Sequence, residues 1–137
     1  MKKLSIVVPV YQNGDNIRDT VIELLSLKKR MDNCSLQLVF VDDGSTDNSY
    51  ALLRESHAQH PDEIRVIKLT KNFGQTRAIK EGVRVADGDC IGIISADLQD
   101  PPDLFLEMLK LWESGDKLVI GERKERNDGK VHSYFSS

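Results

Sequence analysis

Leu4-Ser5-Ile6-Val7-Val8-Pro9-Val10 is a short β-branched run that gives way to the polar turn Tyr11-Gln12-Asn13-Gly14-Asp15-Asn16. It is apolar at nearly every position rather than at alternate ones, so it reads as a strand buried on both faces. The same pattern recurs at residues 36–41, stopped by Asp42-Asp43-Gly44-Ser45, and again at 64–69, 90–94 and 117–120. Between these runs the apolar residues fall at helical spacing: Ile17, Val21, Leu24 and Leu25, then Leu52 and Leu53, then Ala78, Ile79, Val83 and Ala86, then Leu104, Phe105, Met108, Leu109 and Trp112. Thr46 or Asp47 suits the cap of the second helix, Pro101-Pro102 opens the fourth, and Gly115 stops it. Apolar strands alternating with helices predict an α/β fold, a mostly parallel sheet flanked by helices.

Composition narrows the class. The chain has 137 residues, enough for one domain with a real core. Lys and Arg number 19 against 22 Asp and Glu, a net charge of −3, which argues against a dedicated nucleic-acid binder. Charged residues make up 30% and hydrophobic ones 39%, the balance of a globular domain. No apolar run approaches the ~20 residues that cross a bilayer. The basic start Met1-Lys2-Lys3 is followed by a run broken at Ser5 and Pro9, so no signal peptide is read. Two cysteines, Cys34 and Cys90, make neither a disulfide framework nor a zinc quartet. A reducing cytoplasm is the default. The polar stretch 122–137 shows no periodicity, and the chain reads as the front part of something longer.

Ligands of an open parallel sheet bind beyond the carboxyl ends of its strands. The segments that matter are therefore Pro9-Val10-Tyr11-Gln12-Asn13, Asp42-Asp43-Gly44-Ser45-Thr46-Asp47, Lys71-Asn72-Phe73-Gly74-Gln75, Ser95-Ala96-Asp97-Leu98-Gln99-Asp100 and Gly121-Glu122-Arg123. Asp97 and Gln99 offer hard oxygen ligands of the kind that hold Mg2+ or Mn2+ jointly with phosphate oxygens. Asp100 reads first as the cap of the helix that Pro101-Pro102 begins. Asp42 and Asp43 directly follow a buried strand, where a carboxylate can accept from a ribose hydroxyl or a base N–H. The same residues are also turn formers, and both readings stay open. Lys71, Arg77 and Arg123 are cations at the same rim, though a surface cation is more often merely solvated. Neither a G-x-G-x-x-G turn nor a G-x-x-x-x-G-K-[ST] loop is present. His57, His60 and His132 receive no ligand role. Trp112 and Cys90 read as packing residues.

Taken together, Ser5-Ile6-Val7-Val8-Pro9-Val10-Tyr11, Val41-Asp42-Asp43-Gly44-Ser45-Thr46-Asp47, Lys71-Asn72-Phe73-Gly74, Ala96-Asp97-Leu98-Gln99-Asp100-Pro101-Pro102 and Gly121-Glu122-Arg123 resemble family 2 glycosyltransferases with the GT-A, Rossmann-like fold. The Asn-Phe-Gly and Asp-Leu-Gln-Asp-Pro-Pro pieces resemble its polyprenyl-phosphate branch, the dolichyl-phosphate mannose synthases and undecaprenyl-phosphate glycosyltransferases. The resemblance spans about residues 3–126. Residues 1–137 would then be the nucleotide-sugar-binding part of a C-terminally truncated GT-A domain.

The resemblance implies site roles position by position. Pro9 and Tyr11 lie against the nucleoside. Asp42 and Asp43 meet base and ribose, with Asp43 favoured for the base. Arg77 sits near base or diphosphate, and Arg123 contacts the diphosphate or an acceptor phosphate. Asp97 matches the last carboxylate of a D-x-D motif and binds Mg2+ or Mn2+, with Gln99 completing the metal site. The first carboxylate of that motif is replaced by Ser95. The implied reaction is inverting transfer from a UDP- or GDP-sugar to an acceptor such as polyprenyl phosphate, in cell-envelope polysaccharide synthesis. The implied place is the cytoplasm, at the inner membrane face through segments this chain does not contain, and a homo-oligomer is compatible with it. No catalytic base is assigned. Two further readings stand beside this one: a nucleotide-sugar-binding module without turnover, and, ranked last, a nucleotidyltransferase.

Overall fold

The computed structural model of the chain describes residues 1–125 and 128–136, with side chains through Lys117. The chain divides into two compact units, Met1–Leu98 and Gln99–Ser137.

In the first unit β1 (Lys2–Val10), β2 (Cys34–Asp42), β3 (Ile64–Lys68) and β4 (Cys90–Ile93) form one sheet in the order β3-β2-β1-β4. Every pairing is parallel. Helices α1 (Ile17–Ser26), α2 (Ser49–Gln59) and α3 (Gln75–Val85) make the crossovers, as parallel neighbours require. The chain steps outward from β1 to β3 and then returns to the far side of β1, so the strand order reverses between β1 and β4. That reversal is where such sheets receive ligands.

The strands are apolar on both faces because both faces are covered. On one face Val7, Val39 and Val41 pack with Ala78 of α3 into a buried cluster. Gly82 lets α3 come this close: a Cβ there would run into Val7 Cγ1 and stand 3.0 Å from Val41 Cγ2. On the other face Ile6, Val8, Leu38 and Phe40 are fully buried, and α2 packs on β2 and β3. Each such side chain contributes about 1.5–3 kcal/mol. Pro9 breaks no ladder, because β4 pairs with β1 only from Leu4 to Val7 and stops short of it.

The second unit holds α4 (Leu104–Glu113) and a two-stranded antiparallel sheet of β5 (Asp116–Glu125) and β6 (Asp128–Ser136). The strand expected at 117–120 exists but is longer, and it pairs with β6 rather than extending the parallel sheet. An antiparallel partner close in sequence needs no crossover. The stretch after Glu122, read as irregular, is thus mostly strand. The cap of α4 is Asp103, not Asp100; its first amides bond back to Pro101 and Pro102, which pushes the start past the two prolines. No helix among the described residues is long and apolar enough to cross a membrane.

Candidate functional site

Because the four strands are parallel, the segments after them lie along one edge, spanning three strand spacings, about 14 Å. Asp42 ends β2 and Asp97 follows β4, so the two carboxylates share that edge.

The first two loops are stitched to each other. Gln12 takes the left-handed backbone at φ 54°. Its N–H donates to Ser45 Oγ at 2.9 Å, its Nε2 to Thr46 Oγ1 at 2.9 Å, and its Oε1 accepts from the Thr46 and Asp47 amides at 2.7 and 3.2 Å. Asn13 N–H donates to Ser49 Oγ, Gly14 N–H to Asp47 Oδ2, and Asp43 N–H to the carbonyl of Val10. Tyr11 is carried on this frame, 46% exposed, its N–H donating to Asn13 Oδ1 at 2.8 Å. Pro9 stands two residues earlier, half-buried in β1 opposite Val41.

The two adjacent carboxylates do different things. Asp43 is buried, and its Oδ1 and Oδ2 accept from the amides of Phe73 and Gly74 at 2.8 and 3.0 Å. It fixes the turn after β3. Asp42 is fully buried as well, yet its Oδ1 receives only a 3.4 Å approach from the Ser45 amide, and its Oδ2 has no hydrogen-bond partner. An acceptor left so costs free energy unless something donates to it.

The third loop presents an aromatic ring between cations. Phe73 is 43% exposed; Lys71 Nζ lies 5.1 Å and Arg77 Cζ 5.5 Å from its ring centre, within cation–π range. Arg77 belongs to the first turn of α3 and also meets Glu81 at 4.0 Å.

After β4, Ser95-Ala96-Asp97-Leu98 closes a tight turn, with the Leu98 amide bonded to the Ser95 carbonyl and Leu98 left-handed at φ 51°. A non-glycine residue held there is strained, which is common at functional sites. Buried Thr20 of α1 anchors the turn through Ala96 O at 2.5 Å. Ser95 Oγ donates to Asp97 Oδ1 at 2.8 Å, so the residue replacing the first D-x-D carboxylate orients the second. Asp97 is exposed. Among the described residues no three His, Cys, Asp or Glu are grouped to hold a metal ion. Asp97 and Ser95 offer hard oxygen atoms of the kind that can share a divalent cation with phosphate oxygens. Gln99 and Asp100 belong to the second unit. Arg123 lies on β5, and its side chain falls outside those described.

The acidic side of the pH scale tests the stitching. Burial pushes the Asp47 carboxyl up, but bonds from Ser49 and the Gly14 amide outweigh it and hold the group below its ordinary 3.8. A depressed folded value contributes stability above the ordinary one and loses it as pH falls through the folded one. Asp47→Asn is expected to flatten the stability curve below about pH 4, measured by denaturant unfolding from pH 2 to 6. Glu63 is likewise held below its ordinary 4.5, first by the hydrogen bond from Lys28 at 2.5 Å.

Sequence reading placed Gln12, Ser45 and Phe73 in the rim segments but gave none of them a role of its own. Only the polar residue trailing an apolar strand could have marked Gln12, and that signal is common to every loop.

A Bacillus subtilis protein described as an uncharacterized glycosyltransferase, YkcC, is 42% identical over 89% of this chain and 37% of its own length. The Proteus mirabilis undecaprenyl-phosphate 4-deoxy-4-formamido-L-arabinose transferase is 33% identical over 93% of this chain and 39% of its own. The chain thus spans well under half the length of these relatives. A mannosyltransferase from Pyrobaculum calidifontis, solved in complex with GDP-Man and Mn2+, shares the fold with TM-score 0.67 at 25% identity over 78% of this chain and 31% of that one. The family model described as Glycosyl transferase family 2 matches residues 5–137, and the chain belongs to that family, with the GT-A fold.

Proposed function

We propose that the rim of the parallel sheet is the donor site of an inverting glycosyltransferase that takes its sugar from a UDP- or GDP-sugar. One observation carries the reading: a fully buried carboxylate, Asp42, keeps an acceptor oxygen without a partner on the edge that also holds Asp97. Asp42 exposes no surface in this structure, so it accepts from a base N–H or a ribose hydroxyl only once the loops around it shift. Tyr11 and Pro9 lie against the nucleoside. Asp43 holds the third loop through one amide on each oxygen, from Phe73 and Gly74, and its remaining lone pairs leave it able to share the base with Asp42. Arg77 meets the diphosphate as charge grows on it. The Pyrobaculum relative was solved with GDP-Man and Mn2+, which supports a divalent cation, Mg2+ or Mn2+, held by Asp97 together with the diphosphate. Bound there, the cation supplies neutralisation of the leaving diphosphate.

The acceptor oxygen attacks the anomeric carbon on the face opposite the diphosphate. The name of the Proteus relative favours polyprenyl phosphate as acceptor. A phosphate is already an anion, so its attack needs no general base. Cell-envelope synthesis at the cytoplasmic membrane face follows from that acceptor.

Binding tests the reading. Calorimetric titration with UDP and with GDP should show affinity that Mn2+ raises. Asp97→Asn should remove most of that increment, at least tenfold in Kd, while leaving metal-free affinity nearly unchanged. No binding of either nucleotide, with or without Mn2+, would end the proposal. Ser95 in place of a carboxylate favours a second reading, a binding module without turnover. Release of nucleotide from a sugar donor by a longer form of the protein would exclude it.

A further inference from the structure

We propose that Gln12 is a positioning residue for the donor site: it locks the loops after β1 and β2 into the geometry that receives the nucleotide. The inference rests on the nucleotide reading above. The left-handed backbone at Gln12 costs roughly 1 kcal/mol or more, since its Cβ crowds the following carbonyl. The conformation sends backbone and side chain together at the second loop, where they make four bonds to Ser45, Thr46 and Asp47. An exposed glutamine ordinarily gives its amide to water. Here both ends of the amide are committed to the neighbouring loop.

The position explains the consequence. Gln12 directly follows Tyr11, the aromatic proposed to lie against the nucleoside. Its partners directly follow Asp42-Asp43-Gly44, which holds the proposed base acceptor. Thr46 and Asp47 present their amides just ahead of α2, and without the Gln12 carbonyl these donors would turn to water. A site whose walls are already fixed spends less of its binding free energy on ordering them. Gln12 is thus argued to act on affinity, without touching the nucleotide itself.

A second bridging glutamine, buried where Gln12 is exposed, lies toward the other end of the same strands and serves as the control. Gln37 Oε1 accepts from Ser5 Oγ at 2.6 Å and from the Asp87 amide at 3.0 Å, also joining two segments through one glutamine. It is far from the rim, at the amino-terminal side of β2.

The experiment compares the unmodified 137-residue chain with Gln12→Ala, Gln12→Glu and Gln37→Ala. Each is titrated with UDP and with GDP in Mn2+, its Tm is measured, and hydrogen exchange is followed at the Ser45, Thr46 and Asp47 amides. Gln12→Ala is expected to bind the preferred nucleotide about tenfold more weakly with a small loss of Tm, and to exchange the Thr46 and Asp47 amides faster. Gln12→Glu keeps the acceptor for both amides and should keep their protection. Gln37→Ala should lower Tm at unchanged affinity. Affinity of Gln12→Ala equal to that of a nucleotide-binding unmodified chain would overturn this inference alone. So would unfolding of Gln12→Ala, loss of protection in Gln12→Glu, or an equal affinity loss in Gln37→Ala, each of which reduces Gln12 to general stability. Absence of nucleotide binding by the unmodified chain would overturn the donor-site reading and this inference with it.

Discussion

Gly44→Ala is expected to destabilise the chain by about 3 kcal/mol or more and to abolish nucleotide binding under conditions where the unmodified chain binds. Two costs add. The first is conformational: Gly44 sits at φ 73°, where an L side chain loses roughly 1–2 kcal/mol. The second is steric and falls on backbone. A Cβ at Gly44 would strike the Lys71 carbonyl carbon and stand 2.5 Å from the Asn72 nitrogen and 2.8 Å from Lys71 Cα. No side chain can swing aside to relieve it, so the loop after β3 must move as a whole, at the cost of about 1–3 kcal/mol typical of overpacking. That movement pulls Phe73 and Gly74 away from the Asp43 carboxylate that holds them. Gly74→Ala separates the two costs. Gly74 lies at φ 102° and ψ 156°, a region essentially only glycine adopts, with nothing within 4 Å of an added Cβ, so its substitution carries a conformational cost alone, about 1–3 kcal/mol. Chemical denaturation should therefore place Gly44→Ala below Gly74→Ala in stability, and equal losses would show that the contact with the third loop is not tight.

Those two glycines also mark what the sequence could and could not reveal. Continuous apolar runs such as Ile6-Val7-Val8 and Leu38-Val39-Phe40-Val41 make sense only when both faces are covered, so the parallel sheet was readable from them. Parallel strands then put Asp42 and Asp97 on one edge by necessity. What each carboxylate does there was not readable, because it depends on which amides the next loop turns toward it. Asp42 and Asp43 are the same residue type at adjacent positions, and the alternation of a strand end aims them differently. Gln12 escaped for the same reason: its bonds span 33 to 35 positions of sequence and leave no periodic trace. The hairpin of β5 and β6 was obscured by polarity, since 122–137 has no run apolar enough to announce a buried strand.

The adjacent aspartates give the second large effect, and it should appear as opposite outcomes at neighbouring positions. Asp43→Asn keeps the shape but replaces one acceptor oxygen with an NH2. Whichever way the amide turns, either the Phe73 or the Gly74 N–H then faces a donor inside a buried site. Hydrogen bonds to a charged group contribute about 1.5–3 kcal/mol each, and the one lost leaves its donor unsatisfied. A destabilisation of roughly 2–4 kcal/mol is expected from urea unfolding. Asp42→Asn disturbs little inside the protein, because Oδ2 has no partner to lose and Oδ1 has only the long approach from Ser45. Its stability should stay within about 1 kcal/mol of the unmodified chain. Its nucleotide affinity should fall tenfold or more, about 1.4 kcal/mol, because the neutral amide oxygen accepts from a base N–H or a ribose hydroxyl more weakly than a carboxylate does. Affinity unchanged in Asp42→Asn would remove Asp42 from the nucleotide site, and affinity lost only in Asp43→Asn at full stability would hand the base to Asp43. The two measurements together assign each carboxylate, since a group that holds the loop shows itself in unfolding and a group that holds the ligand shows itself in binding.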